Sequence, residues 1–184
     1  IEIASARSDR LFVIAVEEEL SVFPFGVRFR LIGEGVADLA NVTVLKGGRY
    51  IVSSATFPSY FTHQERLSAV HAGLDVEIFA RHIVPSLGIG SRFVGEEPYS
   101  PVTAAYNSAM KSLLPSYNVE VIEIPRLACA GDPISASRVR DLIGENRLAD
   151  VEPLVPSSTW RYLSSGEAAP IIAKIKSSRG GRSA

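Results

Sequence analysis

The strongest constraint on the fold is the run LFVIAV at Leu11–Val16, in which every residue is apolar. A continuous apolar run of this length is typical of a β-strand buried on both faces, as in the middle of a parallel sheet. A helical pattern after Pro24 and a second strand, Asn41–Leu45, come next along the chain. Because strand, helix and strand alternate, the sequence predicts an α/β fold with a doubly wound, Rossmann-like parallel sheet and flanking helices.

The same alternation continues along the rest of the chain. Tyr50–Val52 is predicted to continue the sheet, and further strands are predicted at Arg92–Gly95 and Val119–Ile124. Predicted helices cover Gln64–Leu87, Pro101–Leu114, a segment that begins after Ser135, Leu148–Leu154 and Ser157–Leu163. In the longest of these, helical spacing falls on Leu67, Val70, Leu74, Ile78, Phe79 and Ile83, with Gly88 as the C-cap.

Length and composition limit the class of protein. A chain of 184 residues fits one domain. We expect residues 1–163 to form it and residues 164–184, rich in Ser, Gly, Lys and Arg, to be a disordered tail. The 19 Lys and Arg balance the 20 Asp and Glu, so no nucleic-acid partner is expected. The single cysteine, Cys129, and the lack of an apolar run of about 20 residues predict a cytoplasmic protein without a membrane partner.

The segment that begins at Ser135 is the best candidate for a binding or catalytic site. Ser135 is predicted to cap a helix whose first turn contains Ser137 and Arg138, with Arg140 just beyond. Cations are unfavourable at the positive end of the helix dipole, whereas free N–H groups, hydroxyls and guanidinium groups together suit a phosphate. The alternative is a surface helix whose arginines point into water. Spacing alone leaves both interpretations open.

Two other segments are candidates for a ligand site. Gly95 ends a predicted strand, where a ligand can approach the backbone, and Glu96 could accept hydrogen bonds from ribose hydroxyls. The alternative there is a plain Glu-Pro turn. The loop that contains Thr56 and Tyr60 is rich in hydroxyls and aromatic rings, so it could line a pocket or pack on the core. We expect Phe57 to pack.

The sequence predicts no metal site of its own. His71 and His82 are 11 residues apart, too far to share one metal on a single helix, and His63 has no matching partner. The acidic run Glu17–Glu19 is interpreted as a solvated loop.

Several strings resemble known sequence motifs. Ile134–Arg140, ISASRVR, is similar to the ISSTxxR motif of the HxGH nucleotidyltransferase superfamily. Residues 50–61, YIVSSATFPSYF, residues 92–103, RFVGEEPYSPVT, and residues 105–107, AYN, resemble the citrate lyase ligase family. The likeness extends from about Leu11 to Leu163. It implies a nucleotidyltransferase-type fold, but no HxGH loop is found. We therefore expect the chain to be the C-terminal part of a longer protein, without the first strand and that loop, and weakly active or inactive alone.

The resemblance also implies a reaction. Enzymes of that family use ATP and acetate to acetylate the thiol of the prosthetic group on the acyl carrier subunit of citrate lyase, through acetyl-adenylate, with release of AMP and diphosphate. By the superfamily pattern, Ser135, Ser137 and Arg140 would contact the triphosphate, with Arg138 a weaker candidate, and Mg²⁺ would accompany ATP. Gly95 and Glu96 would lie near the ribose and adenine, and Thr56 and Tyr60 are candidates for the substrate side. The alternatives are another nucleotidyltransferase of the superfamily, or a non-catalytic fragment that binds nucleotide or acyl carrier.

Overall fold

The strands agree with the apolar runs in the sequence. The computed structural model describes residues 1–17, 21–58, 65–129 and 131–180. Four of its strands lie where the sequence predicts them: β1 Leu11–Ala15, β2 Val42–Lys46, β3 Ser91–Gly95 and β4 Glu120–Ile124. Two short strands, β5 Ala128–Cys129 and β6 Asp132–Pro133, lie between β4 and Ser135, where the sequence predicts neither a strand nor a helix.

Helices occupy most of the remaining chain. The α-helices are α1 Glu2–Ser5, α2 Phe25–Gly35, α3 Glu65–Ile78, α4 Val84–Leu87, α5 Pro101–Leu113, α6 Ala136–Gly144, α7 Ser157–Leu163 and α8 Ala169–Gly180. A π-helical segment, Phe79–Ile83, lies between α3 and α4. Segments of 3₁₀ helix cover Leu114–Tyr117, Leu148–Leu154 and Gly166–Ala168. In the part of the chain that the structure describes, no helix has the length and apolar character needed to span a bilayer.

The strands pair in three two-stranded sheets within the described residues: β1 with β2, β3 with β4, and β5 with β6. Strands β3 and β4 run parallel, in a register that places Ser91 opposite Glu120 and Gly95 opposite Ile124. Strands β5 and β6 are antiparallel. The parallel pair with its neighbouring helices confirms a mixed α/β fold. The single doubly wound sheet stays a prediction.

The chain divides into two compact units, each with its own core. The central unit comprises Ile14–Glu18 and Leu45–Pro125, and the terminal unit comprises Ile1–Val13, Glu19–Val44 and Arg126–Ala184. The central core includes Phe57, Val76, Met110, Leu114 and Val119, all at most 2% exposed. The terminal core includes Ile143, Val151, Leu163, Ile171 and Ile175. The single domain predicted for residues 1–163 stays a prediction.

The prediction that residues 164–184 form a disordered tail is wrong for residues 166–180. A 3₁₀ turn and α8 form there, and the side chains of Ala168, Ile171 and Ile175 are buried in the terminal core. Composition misled because Ser, Lys and Arg dominate the segment, while the burial depends on two isoleucines four residues apart. That spacing places both on one face of a helix.

The predicted strand at Tyr50–Val52 is also wrong, because these residues form bends. Val52 has a φ of 45°, a left-handed conformation that lies outside the β region. Phe57 is fully buried, as predicted.

The helical face of α3 differs from the predicted one. Val70 and Leu74 are 70% and 50% exposed, whereas the buried positions among residues 70–78 are Ala72, Asp75 and Val76. Gly88 does cap the end of α4, with a φ of 64° in the left-handed region, as the sequence predicts.

Candidate functional site

The start of α6 has the geometry that the sequence predicts. Ser135 is the N-cap, with extended backbone, and its hydroxyl accepts a 3.1 Å hydrogen bond from the Arg138 N–H. No acidic residue lies in the first turn. The first N–H groups of a helix have no partner within the helix, and the end carries partial positive charge. This helix end therefore favours an anion.

Ser137 and Arg140 lie together on this helix end. The Arg140 guanidinium donates to the Ser137 hydroxyl at 3.1 Å, and Ser137 is exposed. Within the described residues, no carboxylate forms an ion pair with Arg140. A guanidinium and a hydroxyl held side by side can both donate to the oxygens of one phosphate.

Arg138 points in another direction from Arg140. Its guanidinium lies 3.8 Å from the Asp132 carboxylate and donates to the carbonyls of Cys129 and Asp132 at 3.4 and 3.3 Å. These contacts fix Arg138 to the β5–β6 segment that precedes the helix. Its charge is therefore partly compensated, which agrees with its weaker rank among the predicted phosphate contacts.

Gly95 and Glu96 belong to the central unit. Gly95 is the last residue of β3, and a Cβ added there would meet no atom within 4 Å. Its carbonyl accepts a 2.9 Å hydrogen bond from the amide of the buried Asn107, and the Glu96 N–H donates to the Ile124 carbonyl at 3.0 Å. The turn after β3 is therefore fixed, with open space beside Gly95. Its predicted role toward ribose and adenine stays a prediction.

Thr56 is buried and already bonded within the central unit. Its hydroxyl donates to the Asp75 carboxylate at 2.6 Å and lies 3.1 Å from the Ser53 hydroxyl. Tyr60, the other residue predicted for the substrate side, lies outside the described residues, as does His63. The substrate-side role of Thr56 stays a prediction.

Sequence reasoning missed Asp75, which is fully buried on α3. Its carboxylate accepts hydrogen bonds from the Val52 N–H at 2.7 Å, from Thr56, and from the Tyr106 hydroxyl at 2.6 Å. The Arg92 guanidinium donates to the Tyr106 oxygen at 3.1 Å and lies 4.1 Å from the centre of the Phe79 ring. No sequence signal identified Asp75, because a single aspartate in a helix ordinarily faces water.

The electrostatics of this cluster keep Tyr106 protonated. Burial raises the pKa of the Tyr106 hydroxyl well above its ordinary value, Arg92 lowers that pKa, and the Asp75 carboxylate raises it again. The phenol therefore donates to Asp75 and accepts from Arg92 throughout the physiological pH range.

Metal ligands do not cluster in the described part of the chain. No group of three or more His, Cys, Asp or Glu side chains there could hold a metal ion.

Comparison with known proteins agrees with the strings in the sequence. The family model described as Citrate lyase ligase C-terminal domain matches residues 1–163. The chain is 41% identical over 169 residues to a citrate (pro-3S)-lyase ligase of Escherichia coli (strain K12), covering 89% of this chain and 48% of that protein. Proteins of the same name from Klebsiella pneumoniae and Haemophilus influenzae are 38% and 39% identical, again over 89% of this chain and over 49% and 50% of their own lengths. The chain spans about half the length of the curated relatives it matches.

Proposed function

We propose that the chain takes part in an ATP-dependent ligation of acetate, because it belongs to the citrate lyase ligase family and matches the C-terminal domain of that family. An oxygen of acetate attacks the α-phosphorus of ATP, the bond to the β-phosphate breaks, and acetyl-adenylate and diphosphate form. The thiol of the prosthetic group on the acyl carrier subunit of citrate lyase then attacks the acetyl carbonyl, gives up its proton, and releases AMP. The family match over residues 1–163 is the observation that carries this proposal.

We assign the triphosphate to the start of α6. Negative charge moves onto the diphosphate oxygens as the bond to the α-phosphorus breaks, so fixed donors aimed at those oxygens lower the barrier. The Ser135 cap, the paired Ser137 and Arg140, and the free N–H groups of the first turn supply such donors. Ser137 and Arg140 act on the reacting phosphates in this proposal. Arg138 holds the β5–β6 segment, which precedes the helix, through its hydrogen bonds to the carbonyls of Cys129 and Asp132.

The remaining contacts are proposed from the superfamily pattern. Gly95 and Glu96 would lie beside the ribose and adenine, within the doubly wound sheet that the family resemblance implies. Mg²⁺ would be bound mainly by the phosphates of ATP and by water, which suits an ion that keeps several waters and needs few protein ligands. A cytoplasmic location is proposed from the single cysteine.

Calorimetric titration of the chain with ATP in the presence of Mg²⁺ tests the phosphate assignment. We expect Arg140→Ala and Ser137→Ala to weaken binding by about 1.5–3 and 0.5–1.5 kcal/mol, the usual values of charged and neutral hydrogen bonds. Arg138→Ala should weaken it less than Arg140→Ala does. Arg147→Ala is the matched control, because Arg147 is an exposed arginine beyond the far end of α6 that pairs with Glu145 and Asp150.

Two results would contradict the proposal at different levels. If ATP binds equally to the wild-type chain and to the Ser137 and Arg140 variants, the phosphates lie elsewhere. If acetate fails to stimulate diphosphate release from ATP while nicotinamide mononucleotide or phosphopantetheine does, the chain serves a different nucleotidyl transfer.

A further inference from the structure

Asp75 is a buried carboxylate whose hydrogen bonds all come from uncharged donors in the described structure. One of its oxygens accepts from the Val52 N–H at 2.7 Å and from the Thr56 hydroxyl at 2.6 Å, and the other accepts from the Tyr106 hydroxyl at 2.6 Å. The side chain is 0% exposed. Burying a polar group is costly unless it is hydrogen-bonded, and these three donors satisfy both oxygens of the carboxyl group. The position of each donor is therefore tied to Asp75.

Two of these hydrogen bonds hold one loop, residues 52–57. Val52 is β-branched and has a φ of 45°, a backbone conformation that is strained for such a residue. The Val52 N–H and the Thr56 hydroxyl anchor the start and the end of the loop to the same carboxylate oxygen. Asp75 thus maintains a backbone shape that the loop would not adopt by itself.

The loop is also fixed internally, and only its tip is exposed. The Ser53 hydroxyl accepts from the N–H groups of Ala55 and Thr56 at 3.2 Å and donates to the Arg49 carbonyl at 2.6 Å. Val52, Thr56 and Phe57 are buried on either side of the exposed Ser54 and Ala55. Within the described residues, neither the N–H nor the hydroxyl of Ser54 donates a hydrogen bond.

We propose that Asp75 is a positioning residue, which holds residues 52–57 so that the N–H and hydroxyl of Ser54 bind the carboxylate of acetate. Two adjacent donors on a rigid turn suit a small carboxylate, which accepts through two oxygens. This inference rests on the proposed function, because that function supplies acetate as the ligand. Asp75 acts only through the loop and does not touch the substrate.

The test is titration of the ¹⁵N-labelled chain with sodium acetate, with sodium chloride at equal ionic strength as the reference. Acetate should shift the Ser54 amide resonance in the wild type, and Ser54→Ala should weaken acetate binding several-fold. Asp75→Asn should weaken it at least tenfold. If the asparagine NH₂ group replaces the first oxygen, it faces the Val52 N–H and the Thr56 hydroxyl, which both donate to Asp75. If it replaces the second oxygen, it faces the Tyr106 hydroxyl, which donates to Asp75 and accepts from Arg92.

Further measurements separate positioning from general loss of structure. The amide resonances of β4, which lies in the same unit as Asp75, and the ATP affinity should be unchanged in Asp75→Asn. Asp38→Asn, the same change at an exposed aspartate, should alter nothing. If Asp75→Asn does not fold, Thr56→Val removes one of the three donors, keeps the carboxylate, and should weaken acetate binding at least threefold.

The inference is overturned if acetate leaves the Ser54 resonance unmoved in the wild type, or if the folded Asp75 or Thr56 variant binds acetate with unchanged affinity. A chain that binds acetate at Ser54 but does not bind ATP would refute the proposed function and leave the acetate site standing.

Discussion

Ile175→Ala tests the most substantial correction to the sequence-based picture, the packed helix α8. Ile175 is 4% exposed in the core that also contains Ile143 and Leu163, each 1% exposed. The substitution removes three buried carbons at about 0.8 kcal/mol each and leaves a cavity that adds to the loss. We therefore expect the free energy of unfolding to fall by about 3 kcal/mol and Tm to fall by about 6–12 °C.

Chemical denaturation followed by circular dichroism measures this effect. The control is Lys176→Ala, one residue further along the same helix, where the side chain is exposed and alanine is at least as good a helix former. If α8 were the disordered tail that the composition predicts, both variants would unfold at the wild-type midpoint. A difference between them of less than about 0.5 kcal/mol would refute the packing argument.

Two further substitutions test local features of the central unit. Gly88→Ala should lower the free energy of unfolding by about 1 kcal/mol, because Gly88 has a φ of 64° while an added Cβ meets no neighbour. Urea denaturation should show a lower midpoint at an unchanged slope, and an unchanged midpoint would contradict this. The hydrogen bond from Tyr117 and the contact with Arg81 lower the pKa of Glu77. Their stabilising effect is therefore present above the unfolded-state pKa and is lost as the pH falls through the lowered pKa. Between about pH 5 and pH 3, the Tm of Glu77→Gln should thus decrease less than the Tm of the wild type. Equal decreases would show that this carboxylate does not contribute.

Local patterns were sufficient for most of the regular structure. LFVIAV and the runs that became β2, β3 and β4 were predicted within a residue or two, because continuous or alternating apolar residues indicate strands directly. The burial of LFVIAV on both faces was not predicted correctly, because four of the five residues of β1 are only partly buried. Ser135 marked the start of α6 because a cap acts on its own first turn.

The features that the sequence did not predict depend on contacts between distant residues. Val52 is not in a strand, and its N–H bonds to Asp75, 23 residues away. Asp75 itself looks like any surface aspartate until α3, α5 and the loop come together around it. α8 was missed because its two buried isoleucines contribute only when the terminal core is already present.

The π-helical segment Phe79–Ile83 has a consequence for how relatives should be aligned. A π-turn contains one residue more than an ordinary α-turn, so such a segment is equivalent to a single-residue insertion in a helix. Relatives that lack it should show a one-residue gap between positions 79 and 83, with the pattern of buried residues restored on both sides. A gap at that position would identify the segment as an insertion that was accommodated while Phe79 and Val84 both stayed in the core.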